Sequence, residues 1–189
     1  MLALSLAAAG CGREPGAPKF KGIDITGADY ARTLTLLDPD GQTRSLAEFK
    51  GKVVAVFFGY TQCPDVCPTT MAELSQVRKS LGADGERIVG IFVTVDPERD
   101  QPALLKEYVG NFGPGFVALH GSMEQTQAAA REFKVFFAKG PVRAGQYTVD
   151  HTAGIYLFDA QGRVRVFTRH GSGVQALADD LKALLALPS

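Results

Sequence analysis

The sequence predicts an α/β fold with a mixed β-sheet and helices on both of its faces. Two continuous apolar runs of strand length, helix-period segments between strands, and a hairpin signal near the end of the chain carry that prediction. Parallel βαβ crossovers followed by an antiparallel hairpin give a mixed sheet. The 189 residues are those of one ordinary globular domain, long enough to bury a core without disulfide staples.

Taken in order, Thr33–Leu37 reads as a strand, and Asp38-Pro39-Asp40-Gly41 is a turn. Ser45 with Glu48 three residues on is a capping pair that starts a short helix through Phe49. Val53–Phe58 is apolar throughout, as expected of a strand covered on both faces. A turn-rich connection, Gly59–Cys67, leads to a helix over Thr69–Leu81 with Met71, Leu74, Val77 and Leu81 on one stripe. Arg87–Val95 is a second buried strand. Pro102–Val109 and Met123–Phe133 read as helices flanking a short strand at Phe116–Leu119. Ile155–Phe158 and Val164–Phe167 form a hairpin around a turn ending in Gly162, and Val174–Leu187 closes the chain as an amphipathic helix.

Twenty Lys and Arg balance twenty Asp and Glu. A net charge of zero lacks the field that nucleic-acid binding needs, so no nucleic-acid partner is expected. No apolar run is long enough to cross a bilayer as a helix. The first residues instead resemble an export signal. Leu4–Gly10 is an Ala-rich apolar run ending at Cys11, and Gly12–Lys21 is rich in Pro and Gly. The end of the run resembles a bacterial lipobox, with Leu6 displaced from the usual apolar position and no basic residue ahead of it. The expected organisation is a signal or lipoprotein-like segment at 1–11, a linker and N-terminal extension at 12–32, and the folded domain at 33–187.

Cys63 and Cys67 are the two cysteines of that domain, in a C-x3-C pair at the junction of loop and helix. If the segment winds as a turn, both side chains share a face, close enough for a disulfide or a common metal. Pro68 suits a first helical turn, and a helix N-terminus lowers the pKa of a nearby thiol. Spacing alone does not choose between metal binding and thiol redox chemistry. A third ligand would decide. His120 and His170 read as exposed turn residues, whereas His151 precedes the hairpin strand expected beside the central strands. Two thiolates and an imidazole suit Cu(I), and with an added ligand Cu(II), better than a structural zinc site that normally needs four protein ligands. Asp96 ends a neighbouring strand on the same sheet edge, where it either orients a ligand, contacts a partner or caps a turn.

These residues resemble the Sco/SenC family of copper-binding proteins. The likeness rests on Phe58-Gly59-Tyr60-Thr61-Gln62-Cys63-Pro64-Asp65-Val66-Cys67-Pro68, on Val95-Asp96-Pro97-Glu98-Arg99-Asp100, and on Val149-Asp150-His151-Thr152 ahead of Tyr156-Leu157. It extends from about Thr33 to Leu187. The resemblance implies a thioredoxin-like fold, with Cys63, Cys67 and His151 as copper ligands and Asp96 associated with partner or metal transfer. It further implies an extracytoplasmic, monomeric metallochaperone that takes Cu(I) or Cu(II) from an extracytoplasmic copper donor. The acceptor would be the dinuclear copper site of cytochrome c oxidase subunit II, and the membrane would be met only through a lipid on Cys11. Gln62 departs from the pattern, because histidine is common there in the family.

A thiol-disulfide oxidoreductase acting on cysteines of an exported partner is the rival reading. Such enzymes usually carry C-x2-C and a proline in the loop occupied here by Asp150–Gly154; the spacing is one residue longer and the proline is missing. A peroxiredoxin fits poorly, because Tyr60 stands where its motif places threonine.

Overall fold

A computed structural model describes residues 18–142 and 145–188. Cys11 and the signal-like segment lie outside the described residues. The elements in chain order are β1 (Ile23–Asp24), β2 (Thr35–Leu37), β3 (Thr43–Ser45), β4 (Val53–Gly59), α1 (Val66–Ser80), β5 (Ile88–Thr94), α2 (Pro102–Gly110), β6 (Phe116–Leu119), α3 (Met123–Glu132), β7 (Phe137–Lys139), β8 (Val149–His151), β9 (Gly154–Phe158), β10 (Val164–Arg169) and α4 (Val174–Leu185). The main sheet runs β1-β10-β9-β4-β5-β6. β4, β5 and β6 are parallel, while β9 runs antiparallel to β4 and to β10. This is the mixed sheet expected from crossovers followed by a hairpin.

Every residue of β4 is buried, which explains its unbroken apolar run. The alternation of side chains sorts the core into two layers. Gly59, Phe57 and Phe92 face α1, whose Leu74 also meets the backbone at Gly90, and α4 packs beside α1. Phe58 and Phe158 face the other way and pack on Phe133 at the end of α3, with ring centroids 5.1 and 6.2 Å apart. Helices therefore cover both faces.

The structure departs from the sequence pattern in several places. β2 pairs with β3 in a separate two-stranded sheet, outside the main one. The capping residues of Ser45–Phe49 start a single 3-10 turn, in which the Glu48 carboxylate accepts the Ser45 N–H at 2.7 Å. β1 pairs with β10 upstream of Thr33, and a two-residue strand has no periodicity to read. Asp180 of α4 fixes the approach to β1 by accepting the N–H groups of Lys21 and Gly22. β7 and β8 form a further small hairpin between α3 and β9. α1 starts at Val66 rather than Thr69, because Pro68 fits within a first turn whose N–H groups have no intrahelical partner.

A candidate metal centre at the carboxyl end of the central strands

Cys63 follows β4 in the loop, Cys67 sits in the first turn of α1, and His151 ends β8 just before β9 begins. β9 runs antiparallel to β4, so its start lies at the same sheet edge as the end of β4. Open α/β sheets place ligand sites at that edge. The early start of α1 places Cys67 in its first turn, and the Cys67 N–H donates to Cys63 Sγ at 3.4 Å. The two sulfurs and a His151 ring nitrogen all lie within 4.8 Å of one another. Among the described residues this is the only His, Cys, Asp and Glu cluster of that kind.

His151 is oriented from two sides. The edges of Phe57 and Tyr60 contact its ring, each at 5.9 Å between centroids. Its Nδ1 lies 3.1 Å from the Thr152 carbonyl, which can only accept, so the neutral ring carries its proton there. Nε2 then presents a lone pair 3.4 Å from Cys67 Sγ. Burial pushes the His151 pKa down and keeps the ring neutral near pH 7, although the Thr152 carbonyl and Asp150 oppose the shift.

Cys67 is fully buried and Cys63 is partly exposed. A place in the first helical turn predicts a lowered Cys67 pKa; instead burial pushes it up, Cys63 and Asp100 add to the rise, and the backbone hydrogen bond from Tyr60 does not offset it. A soft cation arriving at the pocket would supply the missing positive charge. Gly59 makes room for this sulfur. A Cβ there would lie 2.8 Å from Cys67 Sγ, 2.8 Å from Phe57 Cε1 and 3.0 Å from Phe92 Cε2. Bonds of about 2.0–2.3 Å to one ion place three donors roughly 3.5–4 Å apart, so the set fits a metal after small side-chain rotations.

Two carboxylates brace the ligand-bearing loops. Asp100 is buried and accepts the Thr61 N–H at 3.0 Å, the Thr61 hydroxyl at 2.6 Å and the Thr94 hydroxyl at 2.6 Å. This ties the Cys63 loop to the end of β5. Burial nonetheless leaves the Asp100 pKa raised. Asp96 does not join the donor cluster. It accepts from Arg99 Nε and, at 2.9 Å, from the Tyr147 hydroxyl. Arg99 stacks on the Tyr147 ring at 3.5 Å and donates to Gln62 and to the Tyr147 carbonyl, joining the segment before Cys63 to the one before His151. Sequence reasoning singled out Asp96 and missed Arg99 and Asp100 in the same motif; the run of polar residues after a buried strand was the available signal.

His120 and His170 are half-buried rather than exposed, because each has a local partner. His120 Nε2 lies 3.2 Å from the Asp38 carbonyl and His170 Nδ1 lies 3.0 Å from the Thr70 hydroxyl. Neither joins the cluster.

Known proteins share this arrangement of chain. The mouse (Mus musculus) mitochondrial protein SCO2 homolog is 36% identical over 155 residues, covering 80% of this chain and 61% of that protein. The chain thus spans about three fifths of that curated relative. The structure of Bradyrhizobium japonicum ScoI with copper bound is 39% identical with a TM-score of 0.72, covering 80% of this chain and 97% of the other. BsSco, whose structure is described with a disulfide switch and as a member of the Sco family of cytochrome c oxidase assembly proteins, is 26% identical with a TM-score of 0.67, covering 89% and 100%. The fold is thioredoxin-like, as in these Sco proteins. The SCO1/SenC family model matches residues 24–186, nearly the whole described chain, and the protein therefore belongs to the SCO1/SenC family.

Proposed function

We propose that this chain is an extracytoplasmic copper chaperone that binds copper through Cys63, Cys67 and His151 and assists assembly of the dinuclear copper site of cytochrome c oxidase subunit II. The observation that carries the reading is the three-donor cluster itself. Two thiolates and a neutral imidazole form a soft, low-coordinate set, and the related ScoI structure contains copper. The link to cytochrome c oxidase assembly comes from the Sco family description attached to BsSco.

The unequal burial of the sulfurs sets an order for transfer. Cys63 is reachable from solvent while Cys67 is fully buried, so an acceptor's ligand replaces Cys63 before Cys67 and copper passes by stepwise exchange. Copper would come from an extracytoplasmic donor, and the monomeric domain would be tethered by a lipid on Cys11. Asp96 holds Arg99 and Tyr147 in place and thereby orients the loops that an acceptor meets. Metal analysis of protein purified with its thiols reduced tests the reading. About one copper per chain, lost in Cys63→Ser and Cys67→Ser, is expected. Stoichiometric zinc with no copper would overturn it.

The same two sulfurs support a second reading, reduction of an exported partner's cysteines. Within 4.8 Å of each other, they can close a disulfide, and BsSco is described with a disulfide switch. In that case Cys63 attacks the partner's disulfide, one partner sulfur leaves as thiolate, and Cys67 then displaces the second with formation of the Cys63–Cys67 bond.

A further inference from the structure

The segments that carry Cys63 and His151 meet at one nitrogen of Arg99. Nη1 donates to the Gln62 side-chain oxygen at 3.1 Å and to the Tyr147 carbonyl at 3.0 Å. Nη2 is buried and has no hydrogen-bond partner among the described residues, so the join rests on Nη1. Its two ends are unequal. On the His151 side, the Tyr147 hydroxyl donates to Asp96 at 2.9 Å, and the Lys139 ammonium lies 3.9 Å from the centre of the Tyr147 ring. Lys139 also pairs with Glu98 at 3.0 Å and stands opposite Val149 in the β7–β8 hairpin. The hairpin that ends in His151 is thereby fixed to the turn Asp96–Arg99. Gln62 is exposed and reaches Arg99 through its side chain. Arg99 thus ties the residue beside Cys63 to the His151 hairpin rather than to α1, where Cys67 sits.

We propose that Arg99 is a positioning residue that holds Cys63 at metal-ligand spacing from Cys67, and so favours the open pair of thiols that takes copper over the disulfide. The two chemistries of the pair ask for different movements. Donors to one copper stand roughly 3.5–4 Å apart, near the spacing already present, whereas a disulfide brings its sulfurs to about 2.05 Å. Cys67 has little room to supply that approach, because it is fully buried with its sulfur against Gly59. Closure therefore falls on Cys63, which is partly exposed and lies in the loop. As Cys63 moves toward α1, Gln62 beside it is drawn away from the His151 hairpin, and its bond to Arg99 is stretched or lost. Copper binding leaves that bond intact. A contact present in the open form and weakened in the closed one shifts the equilibrium toward the open form.

The proposal rests on the copper reading of the site, and Arg99→Lys and Gln62→Ala in the full chain test it separately from that reading. Lysine keeps the charge but lacks the planar fork that reaches Asp96, Gln62 and Tyr147 together. Gln62→Ala removes only an exposed side chain, so it decides the matter if Arg99→Lys does not fold. Each protein is equilibrated with reduced and oxidised glutathione. The two cysteines pass two electrons and two protons to glutathione disulfide, which leaves the Cys63–Cys67 disulfide and two glutathione thiols. A residue that only holds the fold stabilises both forms alike and leaves this equilibrium where it is. The expected constant for disulfide formation rises about five- to tenfold in Arg99→Lys and about threefold in Gln62→Ala, and Gln62→Ala adds nothing in the Arg99→Lys background. A constant that is unchanged or lower in the folded variants overturns the proposal, whatever the change in melting temperature. So does a Gln62→Ala effect that persists in full without Arg99. Wild-type protein that takes up no copper on titration overturns the copper reading itself.

Discussion

Cys67 Sγ and His151 Nε2 stand 3.4 Å apart although 84 residues separate them along the chain. The antiparallel pairing of β9 with β4 creates that meeting, and it gives the two residues different consequences when removed. His151→Ala deletes one donor of three and leaves both sulfurs in place. Copper affinity should fall at least tenfold, about 1.4 kcal/mol, while the Cys63–Cys67 disulfide still forms. Competition against a copper chelator, with the disulfide potential followed in parallel, checks both halves. Unchanged affinity would remove His151 from the donor set.

Gly59→Ala should damage the site without touching a ligand. The new methyl would press within 2.8 Å of Cys67 Sγ, wedged between the rings of Phe57 and Phe92. Overpacking of this kind costs about 1–3 kcal/mol. The sulfur is the more movable neighbour, so copper affinity should drop tenfold or more while the fold survives. Thermal melts together with copper titration read the two effects separately, and wild-type affinity would show that Cys67 does not need this space.

Asp100→Asn tests the brace between the Cys63 loop and β5. An amide offers one acceptor oxygen where the carboxylate has two, so at least one of the Thr61 and Thr94 bonds is lost. Stability should fall by about 1–3 kcal/mol. Looser placement of Cys63 should also speed release of copper to a chelator. A destabilised variant with unaltered release would limit Asp100 to holding the fold.

The legible parts of this molecule are those that local pattern determines. β4 and β5 announce themselves because burial on both faces requires apolar residues at every position, as in Val53–Phe58. Cys63 and Cys67 are legible because two thiols beside Pro64 and Pro68 at a helix start have few structural uses. His151 is less so: its own surroundings, Asp150 and Thr152, are those of any turn, and only the topology and the family likeness set it apart from His170. The bracing residues are marked locally only as a polar run after a buried strand, which does not say what each of them holds. Asp100 meets Thr61 across 39 positions and Arg99 meets the Tyr147 carbonyl across 48, so their roles exist only after folding. The Cys67 pKa is the instructive failure. Proximity to a helix N-terminus is visible in the sequence, but complete burial, which outweighs it, is not.

Asp159 at the β9–β10 turn predicts an acid-sensitive element far from the metal ligands. It is fully buried, which pushes its pKa up, but the Arg163 N–H and the guanidinium groups of Arg165 and Arg163 outweigh burial and hold it below the usual value. A carboxylate with a depressed folded-state pKa contributes stability that is fully present above its unfolded value near 3.8 and is lost as pH falls through the folded value. Asp159→Asn should therefore cost about 2–4 kcal/mol at neutral pH, since it also strands the largely buried Arg165. The gap between variant and wild type should narrow below pH 4. Denaturant melts of both proteins across pH 3–7 check this, and a gap independent of pH would assign the loss to packing.

The copper-free protein should be folded, and copper should stabilise it only by mass action. The largest buried side chains, Phe57, Phe58, Phe92, Phe133 and Phe158, belong to the two layers around β4 and β5 and do not depend on a metal for their burial. The donors sit at one end of that core and number three, against the closed four-ligand sites that hold small metal-dependent domains together. A ligand that binds the folded state alone at 100 times its dissociation constant adds about 2.7 kcal/mol. For a chain of this length each kcal/mol raises Tm by roughly 2–4 °C, so saturating copper should raise Tm by about 5–10 °C. Calorimetry of the reduced protein with and without Cu(I) decides it. Absence of a cooperative transition in the copper-free sample would make copper a structural element of the fold, and a cargo that holds its carrier together could not be handed on without unfolding it.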